Sequence, residues 1–377
     1  MNALILTISA GGGHNTAARA VELCLKEKGI HTEIVDAYKF FSTALSNTVE
    51  KGCLISTKYV PRLYGRIYRI AEKRNVLDTD IKMGALGSGI VSEKLADYIV
   101  AKRPDVIIST HLFPAELLTT YREERIIRCL TVGIVTDFTV HPFWEETNLD
   151  YYVTATYLLN HQMQKKGIPE EKILPFGIPV HPKFSVRASK QEARKALGIS
   201  DMPTVFVITG SMGYGSVAKH VKRLAKSGME FQLLCVCGNN RKLKRHLERL
   251  NLGNHIHIYG FVNNVDTMMD AADCIVTKPG GLTVSEALTK GLPLILIDPI
   301  PGQEDRNVEF LLNCGVAVRV TKTFPIDEAI YQVFENKARK EFFPKAVSEI
   351  AKPLAGQQLG AFIFDELTNR GAAKRNI

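Results

Sequence analysis

Short apolar segments rich in β-branched residues recur along the whole chain and alternate with segments of helical character. In the first half these predicted strands cover residues 3–8, 31–37, 105–110, 131–137, 150–156 and 172–179. In the second half they cover residues 204–210, 231–238, 255–261, 274–280 and 292–298. Nearly continuous apolar strands between helices are typical of parallel sheets that are covered on both faces. The sequence therefore predicts an α/β fold with doubly wound parallel sheets.

Two domains are expected, because a chain of 377 residues exceeds the size of one ordinary core. The boundary is predicted near residues 177–183, where GIPVHPK places two prolines in a short linker. This gives a first domain over 1–178, a second over 179–345, and a last segment over 346–377. Residues 343–367, which reach into that last segment, have helical character.

Composition limits the cellular setting of the chain. No apolar run reaches the roughly 18 residues that span a bilayer. The apolar N-terminus lacks a basic region before it and runs into a glycine turn, so we interpret it as a buried strand and expect a cytoplasmic protein. The seven cysteines show neither CxxC pairs nor Cys/His ligand spacing, which predicts no disulfide framework and no structural zinc.

The net charge of +9 and the pI of about 9.1 favour an acidic partner, either nucleic acid or an anionic membrane surface. No nucleic-acid-binding motif is present. Arg62, Arg66, Arg69 and Lys73 form one basic stripe of a predicted helix beside an apolar arc. This segment is either an amphipathic helix packed on the core or an interfacial helix on an anionic leaflet.

The run from Lys278 to Asn307 carries the clearest site pattern of the chain. A Gly-Gly turn follows an apolar strand and precedes a helix, and a helix N-terminus at the mouth of a sheet attracts phosphate. Glu286 lies about one turn further, within reach of ribose hydroxyls, and polar residues in a predicted loop after the next strand could hydrogen-bond a sugar. These are Gln303, Glu304 and Asn307. The pattern predicts a nucleotide-sugar site; the alternative is a tight turn with a solvated glutamate.

Histidines follow three predicted strands of the first half. The turn from Ser9 to His14 is neither a Walker loop nor a dinucleotide fingerprint, and its simplest alternative is a helix cap. His111, Asp137 and His141 follow later strands, and the carboxyl ends of parallel strands meet at the edge where α/β proteins bind ligands. A single histidine is more often structural, but three on one edge with an acid favour a reaction centre.

The motifs KPGGLTVSEAL, GLP and PGQE resemble the nucleotide-binding half of a family of inverting glycosyltransferases. This family includes the diglucosyl- and monogalactosyl-diacylglycerol synthases, and the transferase of lipid II synthesis is a more distant relative. The resemblance implies the GT-B architecture, two doubly wound Rossmann-like domains facing across a cleft, with the C-terminal helix returning to the first domain. It also implies a UDP-glucose or UDP-galactose donor, a diacylglycerol acceptor and no cofactor.

The resemblance also implies roles for individual residues. His14 is the favoured base, Asp137 orients it or shares its role, and His111 and His141 contact substrate. Glu286 holds the ribose. Further substrate contacts are implied for Gly12, Gly13, Ser211, Gly213, Phe261, Val262, Gly280, Gly281, Leu282, Thr283, Gln303, Glu304 and Asn307.

Within that set, the first glycines let an acceptor or sugar approach the backbone. Ser211 and Gly213 belong to a second glycine loop at the diphosphate, together with the residues from Gly280 to Thr283. Phe261 and Val262 lie beside the uracil, and Gln303, Glu304 and Asn307 hold the donor sugar.

Metal and membrane expectations follow from the same resemblance. Asp78-Thr79-Asp80 matches a DxD pattern, but it lies in a helical, basic region, and GT-B enzymes use helix dipoles and amides in place of a divalent metal. The YVP-containing insertion, here Tyr59-Val60-Pro61, implies peripheral binding to the inner face of the cell membrane. A UDP-sugar epimerase and a nucleotide-sugar sensor remain alternatives. The sequence leaves open the sugar, the exact lipid, processivity and the oligomeric state.

Overall fold

A computed structural model describes residues 1–9, 12–40, 88–210 and 215–375. The predicted membrane stripe, the DxD motif, and Ser211 and Gly213 of the second glycine loop lie outside these ranges. The chain divides into two compact units. The first comprises Met1–Pro182, Ile300–Gln303 and Leu354–Ile377, and the second comprises Lys183–Pro299 and Glu304–Pro353.

The first unit contains a parallel sheet of six strands in the order β2-β1-β3-β4-β5-β6. Its strands are β1 (Asn2–Thr7), β2 (His31–Asp36), β3 (Val106–Ser109), β4 (Leu130–Ile134), β5 (Tyr151–Val153) and β6 (Ile173–Leu174). Every residue of β3 and β4 is buried, as expected for strands covered on both faces.

The helices α1 (Gly12–Glu27), α2 (Ser88–Lys102), α3 (Leu112–Glu123) and α4 (Asn160–Gln164) connect these strands. Helix α1 buries Ala17, Val21 and Leu25, which recur at helical spacing. Gly29 follows it with a φ of 73°, a left-handed conformation that suits glycine and ends the helix.

The C-terminal helix α13 (Ala355–Arg375) belongs to the first unit and packs against α1. Its glycines allow this approach. A Cβ on Gly356 would lie 2.7 Å from the sulfur of Cys24, and one on Gly360 would lie 3.1 Å from the Cys24 carbonyl oxygen. Leu359, Ile363 and other residues of α13 complete the apolar core beneath the sheet.

The second unit contains another parallel sheet of six strands, in the order β12-β11-β10-β7-β8-β9. Its strands are β7 (Thr204–Ile208), β8 (Gln232–Val236), β9 (Ile256–Tyr259), β10 (Cys274–Thr277), β11 (Leu294–Leu296) and β12 (Ala317–Arg319). Its helices are α5 (Lys190–Leu197), α6 (Val217–Ala225), α7 (Arg241–Arg249), α8 (Val265–Ala271), α9 (Gly281–Thr289), α10 (Gln303–Asn313), α11 (Ile326–Glu335) and α12 (Lys337–Ile350).

The two doubly wound parallel sheets confirm the predicted fold class, with local corrections. The strand β12, at one edge of the second sheet, was missed; Arg319 interrupts its apolar run. The predicted helix over 343–367 is two helices separated at 351–354, where Pro353 cannot continue the first. The predicted polar loop after β11 is in part the first turn of α10, which begins at Gln303.

No helix among the described parts of the chain is long and apolar enough to cross a membrane.

Candidate functional site

Each sheet has one point where the strand order reverses, and both candidate sites lie there. In the first unit β1 and β3 are neighbours, and the chain leaves them toward His14 and His111. In the second unit β7 and β10 are neighbours, followed by the second glycine loop and by Gly280. Ligands of doubly wound folds bind at such switch points, outside the carboxyl ends of the strands.

His14 lies in the first turn of α1, directly after Gly12 and Gly13, which begin that helix. Its Nδ1 is 2.9 Å from the carbonyl oxygen of Thr110 and 3.2 Å from the hydroxyl of Thr136. A carbonyl oxygen only accepts, so the Nδ1 of His14 carries the proton and donates it to Thr110. In the neutral ring the lone pair is therefore on Nε2, the atom that can accept a proton.

His111 has the opposite arrangement. It caps α3, and its Nδ1 accepts a hydrogen bond of 3.1 Å from the backbone N–H of Phe113. An accepting Nδ1 is unprotonated, so the neutral ring carries its proton on Nε2. His111 therefore presents a donor where His14 presents an acceptor.

His141 repeats this arrangement at the turn Pro142–Glu146. Its Nδ1 accepts a hydrogen bond of 3.2 Å from the backbone N–H of Phe143. Its neutral ring likewise carries the proton on Nε2.

Burial keeps these rings neutral. It lowers the pKa of His14, while the charge of Asp137 and the bond with Thr110 act in the opposite direction. Burial also lowers the pKa of His111 well below the ordinary value, and the neighbouring His14 and His141 lower it further. Burial and Lys166 lower the pKa of His141 to about 4. Of these three neutral rings, His14 alone donates from Nδ1, which leaves Nε2 as its proton-accepting nitrogen.

Asp137 is half-buried, after β4, and accepts a hydrogen bond from the side chain of Gln303. Both residues belong to the first unit. The influence of Asp137 on the pKa of His14 places its charge close to that ring. The structure thus brings His14, His111 and Asp137 together, and His141 influences His111 electrostatically.

In the second unit, the N-terminus of α9 lies at the switch point. Gly280 precedes the helix with a φ of −77°, which any residue adopts, and a Cβ placed on it would meet nothing within 4 Å. Neither backbone strain nor protein packing explains a glycine here. The first-turn amides of Gly281, Leu282 and Thr283 have no partner within the helix. This open helix N-terminus is suited to an anion.

Two buried hydroxyls at the same edge lack a hydrogen-bond partner among the described residues. They belong to Thr209, just after β7, and Thr277, the last residue of β10. These two strands are paired at the switch point. Buried hydroxyls normally find partners, so this pair is consistent with a polar ligand at this edge.

Glu286 lies in α9, about one turn beyond Leu282, and is half-buried. Burial raises its pKa to about 8, partly offset by the charge of Lys183 and reinforced by Asp266. Lys183 itself forms an ion pair of 2.7 Å with Asp266. A carboxyl held at this pKa accepts hydrogen bonds once it is ionised, as ribose hydroxyls require.

Asn307 is bonded to the turn that precedes α9. Its side chain is fully buried, and its Nδ2 donates a hydrogen bond of 2.9 Å to the carbonyl oxygen of Pro279. This bond fixes the position of that turn, and a sugar contact of Asn307 stays a prediction.

The remaining predicted donor contacts lie near the same edge. Glu304, in the first turn of α10, lies 3.6 Å from the ammonium of Lys278. Phe261 is 62% exposed just beyond β9, and Val262 is half-buried. These positions stay predictions as far as uracil and sugar contacts are concerned.

Sequence reasoning missed a carboxylate that fixes the start of α6. Asp298 accepts hydrogen bonds from the N–H of Ser216 at 2.6 Å and from its hydroxyl at 2.8 Å. Burial acts to raise the pKa of Asp298, but His220 and Ser216 outweigh it and hold it at about 2. A Cβ on Gly215 would lie 2.6 Å from this carboxylate. No spacing in the sequence links residue 298 to residue 216.

Within the described ranges, no group of His, Cys, Asp and Glu side chains has the arrangement of a metal centre.

Each half of the chain matches a known protein family. The family described as monogalactosyldiacylglycerol (MGDG) synthase matches residues 14–180. The family described as glycosyl transferases group 1 matches residues 189–347. The first match covers β2 to β6 of the first sheet, and the second covers β7 to β12.

Several bacterial proteins are similar along most of the chain. A processive diacylglycerol beta-glucosyltransferase of Bacillus pumilus is 29% identical over 348 residues, covering 90% of this chain and 88% of its own. A protein of the same name from Bacillus cereus is 30% identical over 338 residues, covering 87% of this chain and 85% of its own.

Solved structures share the fold at low identity. MurG of Acinetobacter baumannii superposes with a TM-score of 0.61 and 15% identity over 96% of this chain and 99% of its own. A UDP-GlcNAc 2-epimerase of Neisseria meningitidis superposes with a TM-score of 0.59 and 14% identity over 98% of this chain and 100% of its own. This likeness confirms the predicted GT-B fold. It does not separate transferase from epimerase, because both kinds of enzyme have the fold.

Proposed function

This chain belongs to the family of the monogalactosyldiacylglycerol synthases and diacylglycerol β-glucosyltransferases and is a glycosyltransferase, and we propose that it moves a hexose from a UDP-sugar to the free hydroxyl of diacylglycerol. The reaction inverts the anomeric carbon and uses no metal ion. The names of the relatives favour UDP-glucose over UDP-galactose as the donor.

One observation carries the proposal: the hydrogen bond from the Nδ1 of His14 to the carbonyl of Thr110. It leaves Nε2 as the basic atom of a ring that burial keeps neutral. The acceptor oxygen attacks the anomeric carbon, and the bond from that carbon to the β-phosphate oxygen breaks. The hydroxyl proton passes to Nε2 of His14, and UDP leaves with the bonding electrons.

The neighbouring groups support this step. The Nε2–H of His111 is a suitable donor to a substrate oxygen, because its Nδ1 is occupied by the N–H of Phe113. Asp137 stabilises the imidazolium that forms on His14, since its charge already raises the pKa of that ring. General base catalysis of this kind contributes about 10²–10⁴-fold.

The donor belongs to the second unit. The N-terminal amides of α9 hold the diphosphate, and the helix dipole stabilises the negative charge that develops as UDP departs. Glu286 accepts hydrogen bonds from the ribose. Gln303 and Glu304 contact the hexose. The amides of α9, together with Ser211 and Gly213 of the second glycine loop, take the place of a divalent metal in stabilising the diphosphate.

The acceptor is a membrane lipid, so the enzyme works at a membrane surface. We assign the basic stripe Arg62, Arg66, Arg69 and Lys73 to the inner face of the cell membrane. Its four charges contribute about 1 kcal/mol each near an anionic surface.

Product analysis tests the proposal. The purified protein is incubated with diacylglycerol vesicles and radiolabelled UDP-glucose or UDP-galactose, with and without EDTA. We expect a β-linked glycolipid whose formation EDTA does not reduce, identified by the coupling of the anomeric proton. Release of an epimeric UDP-sugar without lipid would instead show an epimerase. Binding of UDP-sugar without turnover would show a sensor.

A further inference from the structure

A strongly basic surface covers two neighbouring helices of the second unit, α6 and α7. Residues 215–254, which contain both helices, hold nine lysines and arginines against two glutamates, an excess of seven positive charges in a chain of net charge +9. The α6–α7 basic surface consists of Lys219, Lys222, Arg223, Lys226, Arg241, Lys242, Lys244, Arg245 and Arg249.

Few of these charges are neutralised within the protein. Arg223 pairs with Asp327 at 2.6 Å, and Lys244 pairs with Glu248 at 3.2 Å. The other seven form no ion pair with any described residue. Surfaces that serve solubility alone intersperse both signs, whereas a surface of one sign attracts an oppositely charged partner.

The apolar sides of both helices are already used. Val217, Val221 and Leu224 of α6 and Leu247 of α7 are buried in the core of the second unit. Neither helix can insert an apolar face into another molecule without unfolding that core. The surface can therefore bind a partner only through charge, which requires an extended anionic surface.

We propose that the α6–α7 basic surface binds the second unit to an anionic lipid surface. This inference rests on the proposed function, because a lipid acceptor brings the enzyme to a membrane. The charge of the rest of the chain favours the same partner. Residues 51–76 hold seven further basic residues and one acid. The net charge of residues 51–76 and 215–254 together exceeds the chain's net charge of +9, so the remainder of the chain is net acidic. An anionic surface therefore attracts these two segments and repels the remainder.

A charge-neutralising variant tests this surface in the full-length protein. Lys219, Lys226, Arg241 and Arg245 are exposed and form no ion pair with a described residue, and all four are replaced by Gln. The matched control replaces four exposed lysines elsewhere in the second unit, Lys322, Lys337, Lys340 and Lys345, so that both variants lose four charges.

Co-sedimentation with vesicles of phosphatidylcholine and phosphatidylglycerol gives the readout. Each charge near an anionic leaflet changes binding about fivefold, so the loss of four charges should reduce the vesicle affinity of the surface variant by about 600-fold. The control should lose less than tenfold. The difference should shrink as salt is raised toward 0.5 M, and neither variant should bind pure phosphatidylcholine vesicles differently from wild type.

Two further measurements separate this inference from the proposed function. Both variants should retain wild-type turnover of short-chain diacylglycerol in a non-ionic detergent, because neither alters the candidate site. Unchanged vesicle affinity of the surface variant, or an equal loss in the control, would overturn the membrane surface and leave the transferase intact. Loss of duplex DNA binding with unchanged vesicle binding would assign the surface to nucleic acid instead.

Discussion

The rings of His14 and His111 lie edge to face, with centroids 4.7 Å apart and planes 84° from parallel, yet they carry their protons on different nitrogens. The carbonyl of Thr110 fixes the proton of His14 on Nδ1, and the N–H of Phe113 excludes a proton from Nδ1 of His111. The pair thus presents one base and one donor. The two residues are chemically identical, so only their backbone partners distinguish their roles.

Replacing His14 by Ala should reduce kcat by about 10²–10⁴-fold, because the acceptor hydroxyl then loses its base. UDP affinity should be nearly unchanged, since the nucleotide is assigned to the second unit. Initial rates at saturating lipid and calorimetry with UDP measure the two quantities. His111→Gln, which keeps a side-chain donor, serves as the comparison and should cost less. Near-normal turnover of the Ala variant would make Asp137 the leading base.

Replacing Asp137 by Asn should move the acidic limb of the pH–rate profile to lower pH. The charge of Asp137 raises the pKa of His14 against the effect of burial, and Asn removes that charge. Turnover requires neutral His14, so the rate rises with pH through this pKa, and a lower pKa keeps the enzyme active at lower pH. The rate at neutral pH should fall, because the imidazolium loses its stabilising charge. An unshifted limb would contradict the assignment of His14 as the titrating base.

Replacing Glu286 by Ala should weaken UDP binding about 10- to 100-fold, since a hydrogen bond to a charged group contributes about 1.5–3 kcal/mol. Its pKa of about 8 adds a pH signature. If the ionised carboxylate binds ribose, UDP affinity should rise with pH up to about 8, with release of a proton. Calorimetry in buffers of different ionisation enthalpy measures that proton. Glu328→Ala, an exposed acid of α11, is the control.

Glu286 should also make the stability of the protein depend on pH, and stability should fall with rising pH whereas UDP affinity rises. Its folded pKa is raised, so its contribution to stability is fully present below the unfolded pKa near 4.5 and is lost as pH rises through 8. Glu286→Gln mimics the protonated group and should flatten the fall of Tm between pH 5 and 8 relative to wild type. Parallel Tm curves for both proteins would contradict the raised pKa.

Replacing Asp298 by Asn should destabilise the protein by about 2 kcal/mol at neutral pH, on the order expected from its depressed pKa. A lowered folded pKa stabilises above the unfolded value of 3.8, and this contribution is lost as pH falls through about 2. Urea denaturation at pH 7 and at pH 3 measures the difference, which should shrink at the lower pH. Asp97→Asn, an exposed acid of α2, should show no comparable loss.

The fold class and the order of nearly all the elements follow from the amino-acid sequence alone. Continuous apolar strands need cover on both faces, and a strand followed by glycine and a helix places a site at the carboxyl edge of a parallel sheet. These are local rules, so they located His14, His111 and Gly280 correctly at the ends of their strands. The edge strand β12 was missed, because Arg319 interrupts its short apolar run.

The role of each of these side chains depends on contacts that form only in the folded chain. The proton of His14 is set by Thr110, 96 residues away, and the amide of Asn307 is bonded to the carbonyl oxygen of Pro279, 28 residues away. Asp298 fixes Ser216 across 82 residues, and burial raises the pKa of Glu286. Hydrogen-bond partners and desolvation arise from atoms that folding brings together, so sequence spacing does not encode them.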